Sequence, residues 1–222
     1  MIIGVSLDFW GTIAKPNPKY STARTAYFAE LFGVEPEVAH AKYVQIKRHA
    51  DYAAEHFGTA YHPMAQIRSL LNCEKLTRKV DACDVYYDLM HRVARYKPVI
   101  SPSMKALLKR ASPLFVMGIT SNTNFIPGHV LASLIPSTFA EPTWSDVVGI
   151  CKPSPEIFNQ TYRSLVTKNG AAIKPWEILH IGDNYRCDYV GATRFGFQGR
   201  HVKSVEETEA VLQMIIDQGE LE

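Results

Sequence analysis

The stretch Ile2-Ile3-Gly4-Val5-Ser6-Leu7-Asp8-Phe9-Trp10-Gly11-Thr12 decides how the rest of the chain reads. Residues 2–7 are a short apolar run, and an acid, a glycine and a threonine follow at once. That pattern predicts a buried strand running into a tight turn. An acid at the carboxyl end of a buried strand stands where open parallel sheets bind their ligands.

Residues 14–20 hold Pro16, Asn17 and Pro18 and read as a loop. Residues 21–98 then show four helical stretches and no strand. In 35–58, Ala39, Tyr43, Ile46, Ala50, Ala53 and Phe57 recur at helical spacing. Over 76–96 the same holds for Val80, Cys83, Tyr87, Met90 and Val93. Pro98 and Pro102 mark a boundary. Beyond it strands and helices alternate. Helices are expected at 103–111, 127–135, 154–167, 186–195 and 204–218. Strands are expected at 114–120, 138–141, 177–181 and 197–202. Such alternation predicts a Rossmann-like α/β core with a parallel sheet covered on both faces. The domain expectation is a core of residues 1–13 and 99–222, with an all-helical insert at 14–98.

At 222 residues the chain buries a full core. A net charge of +2 is too small to point to nucleic acid. No stretch offers the roughly 20 consecutive apolar residues that span a membrane. The N-terminus lacks the charged region and cleavage site of a signal peptide. Cys73, Cys83, Cys151 and Cys187 form no CxxC pair, so reduced thiols in a cytoplasmic protein are expected. The insert is mildly basic and the remainder mildly acidic, which suits a small anionic ligand as well as a plain solvated surface.

Polar residues gather at the predicted strand ends. Asp8 ends the first strand, Ser121 and Asn122 follow the second, and Gly182 with Asp183 follow 177–181. Lys152 lies after a strand-like stretch, in Cys151-Lys152-Pro153. Three strand ends and a lysine thus meet on one rim, which then holds a candidate nucleophile, further carboxylates, a hydroxyl and a cation.

These residues fall into four ordered motifs. They are Asp8-Phe9-Trp10-Gly11-Thr12; Ile119-Thr120-Ser121-Asn122; Lys152-Pro153-Ser154-Pro155-Glu156-Ile157-Phe158; and Gly182-Asp183-Asn184-Tyr185-Arg186-Cys187-Asp188. Ser145-Asp146-Val147-Val148-Gly149 leads into the third. Together they resemble the motifs of the haloacid dehalogenase superfamily, over residues 1–13 and about 99–204. The insert resembles that family's helical cap in position and character.

The resemblance implies a Mg²⁺-dependent hydrolase acting on a small phosphorylated metabolite. Asp8 is then the covalent nucleophile, and Lys152 neutralises charge on it and on the phosphoryl oxygens. Ser121 holds a phosphoryl oxygen, with Asn122 beside it, and Thr12 braces the loop. Gly11 allows close backbone approach. Asp8, Asp183 and the backbone carbonyl of Trp10 become metal ligands, with Asp188 either a ligand or the anchor of a metal-bound water.

One position departs from the pattern. Phosphatases of the family carry an aspartate, the general acid, where this chain has Trp10. Indole has no titratable group for that task. Two other readings therefore stay open: a member that cleaves C–P or C–halogen bonds, and a weak catalyst that binds a phosphorylated ligand. Haloacid dehalogenases lack the Gly-Asp-x-x-x-x-Asp motif retained here. A phosphonatase needs a cap lysine, for which Lys42 and Lys47 are candidates.

Overall fold

A computed structural model describes residues 1–59, 62–73, 80–123 and 126–219. The N-terminal apolar run forms β1 (Gly4–Leu7), buried along its whole length. The insert follows as α1 (Pro18–Phe32), α2 (Pro36–Phe57), α3 (Pro63–Cys73) and α4 (Ala82–Val93). The remaining chain alternates α5 (Pro102–Ala111), β2 (Val116–Ser121), α6 (Gly128–Ala132), β3 (Thr143–Trp144), α7 (Ser145–Val148), α8 (Pro155–Asn169), β4 (Ile178–Gly182), α9 (Gly191–Phe195), β5 (Gln198–His201) and α10 (Val205–Gly219).

The five strands are parallel, in the order β3-β2-β1-β4-β5. This is the Rossmann-like α/β fold expected from the sequence. β1 is central, with Leu7 opposite Ile119 on β2 and Ile181 on β4. Asp8 extends the ladder by one bond, its N–H donating to the Ile181 carbonyl at 2.9 Å. The acid that ends β1 is thereby fixed to the sheet.

Strand side chains alternate between faces. Val5, Leu7, Met117, Ile119 and Ile181 join Met104 and Leu108 of α5 and Leu212 and Ile216 of α10 in one apolar cluster. The opposite face of the same strands carries Gly4, Ser6, Gly118, Thr120 and His180. A Cβ on Gly118 would lie 3.0 Å from Leu165 of α8, so the missing side chain lets that helix sit close. Helices α1–α4 build their own cluster, with Phe28, Ile67, Leu70, Val85 and Leu89 at its centre. The chain enters and leaves this helical unit side by side, as Lys15 and Val99 exchange two backbone bonds of 2.9 Å.

Four expectations are corrected. Residues 14–20 are not all loop: α1 begins at Pro18, where a helix tolerates proline, and Asn17 caps it by accepting from the Lys19 N–H. The third strand lies at Thr143–Trp144 rather than 138–141. Ala140 makes one bond to the Met117 carbonyl, and Pro142 lacks the N–H that would carry a ladder back to it. The stretch before Lys152 is outside the sheet, because Ile150 bridges instead to Thr59 beyond α2. The helix expected at 186–195 is two pieces, a wide π-helical turn over Tyr185–Val190 and then α9. The expected helix 76–96 begins at 76–79, outside the described residues; its described part is α4. Among the described residues no disulfide joins Cys83, Cys151 and Cys187. No described helix is long and apolar enough to cross a membrane.

Leu89 is fully buried in the helical cluster. Leu89→Ala is expected to cost about 2–5 kcal/mol in urea unfolding, the usual range for a buried leucine cavity.

Candidate active site

Each side chain on the rim is placed by an element that ends there. β1 delivers Asp8, β2 delivers Ser121, and β4 ends at Gly182, just before Asp183. Asp188 comes from the wide turn that follows. A Cβ on Gly182 would lie 2.2 Å from the Asp188 Cγ, so glycine is required where that turn folds back on the strand. Gly11, at φ 73°, meets the same demand: a Cβ there would lie 2.3 Å from the Asp183 Oδ2.

Lys152 is the hub. Its ammonium donates to the Asp8 Oδ1 at 2.6 Å and to the Asp188 Oδ1 at 2.5 Å. All three side chains are almost wholly buried. Asn122 holds the lysine backbone from both sides: the Lys152 N–H donates to Oδ1 at 2.8 Å, and Nδ2 donates to the Lys152 carbonyl at 3.0 Å. Cys187 adds a thiol donor to that carbonyl at 3.4 Å. The Lys152–Pro153 peptide is cis. Ser121 donates to the Asp8 Oδ1 at 2.8 Å, while Thr12 reaches Oδ2 only at 3.5 Å. Asn122, expected near substrate, therefore has its amide committed to positioning the lysine, although it also lines the cavity.

Behind Asp188 runs a buried polar chain that sequence reading missed. The Asp188 Oδ1 meets His180 Nε2 at 3.1 Å, and His180 Nδ1 meets the Ser6 hydroxyl at 3.0 Å. Ser6 meets Thr120, and Thr120 meets Thr161, each at 2.7 Å. Burial lowers the His180 pKa and keeps the ring neutral. A neutral ring facing a carboxylate must donate through Nε2, so Nδ1 accepts from Ser6. Ser6 in turn accepts from Thr120, and Thr120 from Thr161. Thr161 shares its single proton with the Ile157 carbonyl, 3.2 Å away. A sequence signal existed: histidine in Glu177-Ile178-Leu179-His180-Ile181 is an odd residue for a central strand.

Burial works against every charge here, and neighbours decide the outcome. Desolvation opposes ionisation of Asp188, but Lys152 and His180 outweigh it and hold the acid well below its ordinary range. Burial likewise opposes the Lys152 charge, yet Asp188 and Asp8 keep it protonated. Asp8 is pushed up, first by burial and then by the nearby Asp188. Asp183 rises from 3.8 to about 6 through burial and through Asp8 and Asp188.

Asp8, Asp183 and Asp188 bring one carboxylate oxygen each to within 4.8 Å of one another. Lys152 supplies one positive charge against these three acids, so negative charge remains. Hard oxygen donors with surplus negative charge fit a hard divalent cation such as Mg²⁺. The bonds that close the loop after β1 use the Phe9 and Ala14 carbonyls, not that of Trp10.

The rim opens into a cavity of about 590 Å³ beneath the helical unit. Asp8, Trp10, Lys152 and Asp183 line its floor, and Tyr20, Arg24 and Tyr43 from α1 and α2 line it from the other side. Asn184 Nδ2 donates to Glu55 of α2 at 2.7 Å, tying the helical unit to the rim.

A family model described as haloacid dehalogenase-like hydrolase matches residues 4–196. No curated protein matched the sequence. Among solved structures, HAD-hydrolase YfnB from Bacillus subtilis, bound to magnesium, aligns with TM-score 0.68 and 16% identity over 96% of this chain and 99% of its own. A 2-haloacid dehalogenase from Pseudomonas syringae pv. Tomato DC3000 aligns with TM-score 0.64 and 17% identity, over 97% and 100%. A HAD phosphatase from Thermococcus onnurineus aligns with TM-score 0.61 and 16% identity, over 95% and 98%. At such identities these likenesses establish the fold.

Two predictions follow from the charge pattern. Lys152→Met leaves Asp8 and Asp188 buried without their shared cation. A loss of about 3–5 kcal/mol is expected in urea unfolding at pH 8. The loss is smaller at pH 5, because burial without the lysine raises the pKa of both acids and proton uptake at lower pH relieves the uncompensated charge. The second concerns Asp183. Its raised folded pKa means that the folded state binds more protons than the unfolded state between 3.8 and about 6. Its contribution to stability therefore falls as pH climbs through that window. A cation takes the deprotonated form, so Mg²⁺ should raise Tm more at pH 7.5 than at pH 5, and Asp183→Asn should erase most of the difference.

Proposed function

This chain belongs to the haloacid dehalogenase-like hydrolases, and on that premise we propose that it is a Mg²⁺-dependent phosphatase that transfers the phosphoryl group of a small anionic metabolite to Asp8. The observation that carries the reading is the buried Asp8–Lys152–Asp188 bridge with Asp183 beside it. On this reading residues 14–98 form a cap domain over a core of residues 1–13 and 99–222.

Asp8, Asp183 and Asp188, with the Trp10 backbone carbonyl, would hold the ion, which when bound offsets the repulsion between nucleophile and phosphate. Asp8 attacks phosphorus with a carboxylate oxygen as the bond from phosphorus to the leaving oxygen breaks. Oδ2 is the less encumbered oxygen, since Ser121 and Lys152 both occupy Oδ1. Lys152 stabilises the negative charge that spreads over the phosphoryl oxygens, and Ser121 orients the nucleophile. Asn122 keeps the lysine in place through its backbone, and Gly11 leaves room for Asp183 at the cavity floor. Water then attacks the phosphorus of the aspartyl-phosphate, the bond from phosphorus to the Asp8 oxygen breaks, and inorganic phosphate leaves as the Asp8 carboxylate is restored.

Trp10 shapes the choice of substrate. It lines the cavity beside Asp8 and packs edge-on against Phe9, with ring centroids 5.2 Å apart. It has no proton to give a departing alkoxide. General acid–base help is worth about 10²–10⁴ in rate, so leaving groups that depart as stable anions, such as the carboxylate of an acyl phosphate, are favoured. The same absence supports a second reading, cleavage of a carbon–halogen bond, whose leaving halide needs no proton. The phosphonatase reading is weaker, because Lys47 lines the cavity already paired with Asp51.

Hydrolysis of acetyl phosphate and p-nitrophenyl phosphate, with Mg²⁺ and with EDTA, tests the proposal. Mg²⁺-dependent turnover is expected, faster on acetyl phosphate, and lost in Asp8→Asn. Trp10→Asp should raise turnover of simple alkyl phosphates by about 10²-fold or more. EDTA-resistant release of chloride from 2-chloropropionate, with no phosphate release, would overturn the phosphatase reading in favour of the second.

A further inference from the structure

The cavity has a second charged end. Arg24 on α1 is 8% exposed, and its guanidinium carbon lies 3.6 Å from the centre of the Tyr43 ring and 5.6 Å from that of Tyr20. One nitrogen, Nη2, donates to the Ser21 hydroxyl at 3.1 Å. Among the described residues, its buried Nε finds no acceptor and the buried Tyr20 hydroxyl finds no partner. Both residues line the cavity.

The other charges of this cavity are accounted for. Lys47 pairs with Asp51 on the same helix. Glu55 accepts from Asn184. Lys152 serves Asp8 and Asp188, and Asp183 stands with them at the candidate cation site. Arg24 is the cation of this set whose counter-ion none of these residues supplies. A buried N–H of a charged group without an acceptor costs stability. Such a cost is tolerated where a ligand brings the missing acceptor.

We propose that Arg24 and Tyr20 form a carboxylate subsite opposite Asp8, so that the substrate is a phosphorylated carboxylic acid held at both ends. The proposal rests on the phosphatase reading above, which supplies the phosphoryl end. A guanidinium presents planar N–H donors that match a carboxylate. Tyr43 stacks against the guanidinium, and on the edge of its plane Nε is left without an acceptor among the described residues. The Tyr20 hydroxyl adds a neutral donor. One cation and one neutral donor match the single charge of a carboxylate better than the double charge of a second phosphate. The stacked tyrosines fix the guanidinium before binding, which lowers the ordering cost that a free arginine would incur.

The test is calorimetric titration of the full chain at saturating Mg²⁺ with phosphonates that it cannot hydrolyse. Phosphonoacetate, 3-phosphonopropionate and 4-phosphonobutyrate are compared with ethyl-, propyl- and butylphosphonate. At one length or more, the carboxylate compound should bind at least about tenfold tighter than its alkyl partner. In Arg24→Met that ratio should collapse towards one while Tm stays level or rises, because an unsatisfied buried donor has been removed. Tyr20→Phe should reduce the ratio in part. Equal affinities within every pair would overturn the subsite and leave the phosphatase reading standing. A lowered Tm with an unchanged ratio in Arg24→Met would also overturn it, by making Arg24 a packing residue. No binding of any phosphonate to the folded native chain would overturn the phosphatase reading, and the subsite with it.

Discussion

A buried lysine between two buried carboxylates holds this site together. Lys152 lies within 2.6 Å of Asp8 and 2.5 Å of Asp188. Each of the three charges would be prohibitive alone in so dry a place. Together they are stable only if the geometry is held, and much of the surrounding structure does that. Asn122 clamps the lysine backbone, Cys187 donates to its carbonyl, and the Asn184 N–H donates to the second oxygen of Asp188 at 2.9 Å. The bridge joins the end of β1 to the turn after β4, so Asp8 and the acidic motif are set by one contact. One lysine among three acids leaves surplus negative charge, which suits a hard cation.

The sheet has two faces of different chemistry, and this explains how such a bridge is supported. One face is a continuous apolar layer against α5 and α10. The other carries the row Thr120, Ser6 and His180 across three adjacent strands, closed by Thr161 of α8 at one end and Asp188 at the other. Every polar atom in the row has a partner, so the burial cost is offset. The direction of the hydrogen bonds is fixed by a neutral histidine that must donate to the acid. That fixes the orientation of the Asp188 carboxylate from behind while Lys152 meets it from the front.

Above the rim, α1 and α2 contribute more than a cover. They bring Arg24, Tyr20 and Tyr43 to the cavity, and Glu55 ties α2 to the turn that carries Asp188. On the proposed reading, the floor manages phosphoryl charge, Trp10 favours leaving groups that need no proton, and the stacked arginine on the opposite wall selects the ligand by charge.

How much of this was legible in the sequence depends on the range of the interaction concerned. Apolar runs that stop at Asp8, Ser121 and Gly182 identified the central strands and their carboxyl ends, because burial and turn chemistry are local properties of the chain. The position of Trp10 was equally local, and with it the doubt about a general acid. Pro18 was read as loop yet begins a helix, and the strand expected at 138–141 forms only beyond Pro142. A proline is welcome at the start of a helix but interrupts a strand ladder, and which case applies depends on neighbours such as Asn17 and Met117. The row from Asp188 to Thr161 joins residues 6, 120, 161, 180 and 188, and the counter-ion missing at Arg24 is visible only once Lys47 and Lys152 have found theirs and Glu55 has taken the amide of Asn184. The sequence by itself therefore determined the strand ends and the chemical identity of the rim. Only the tertiary structure decided which charges are paired, because pairing depends on distances between side chains far apart along the chain.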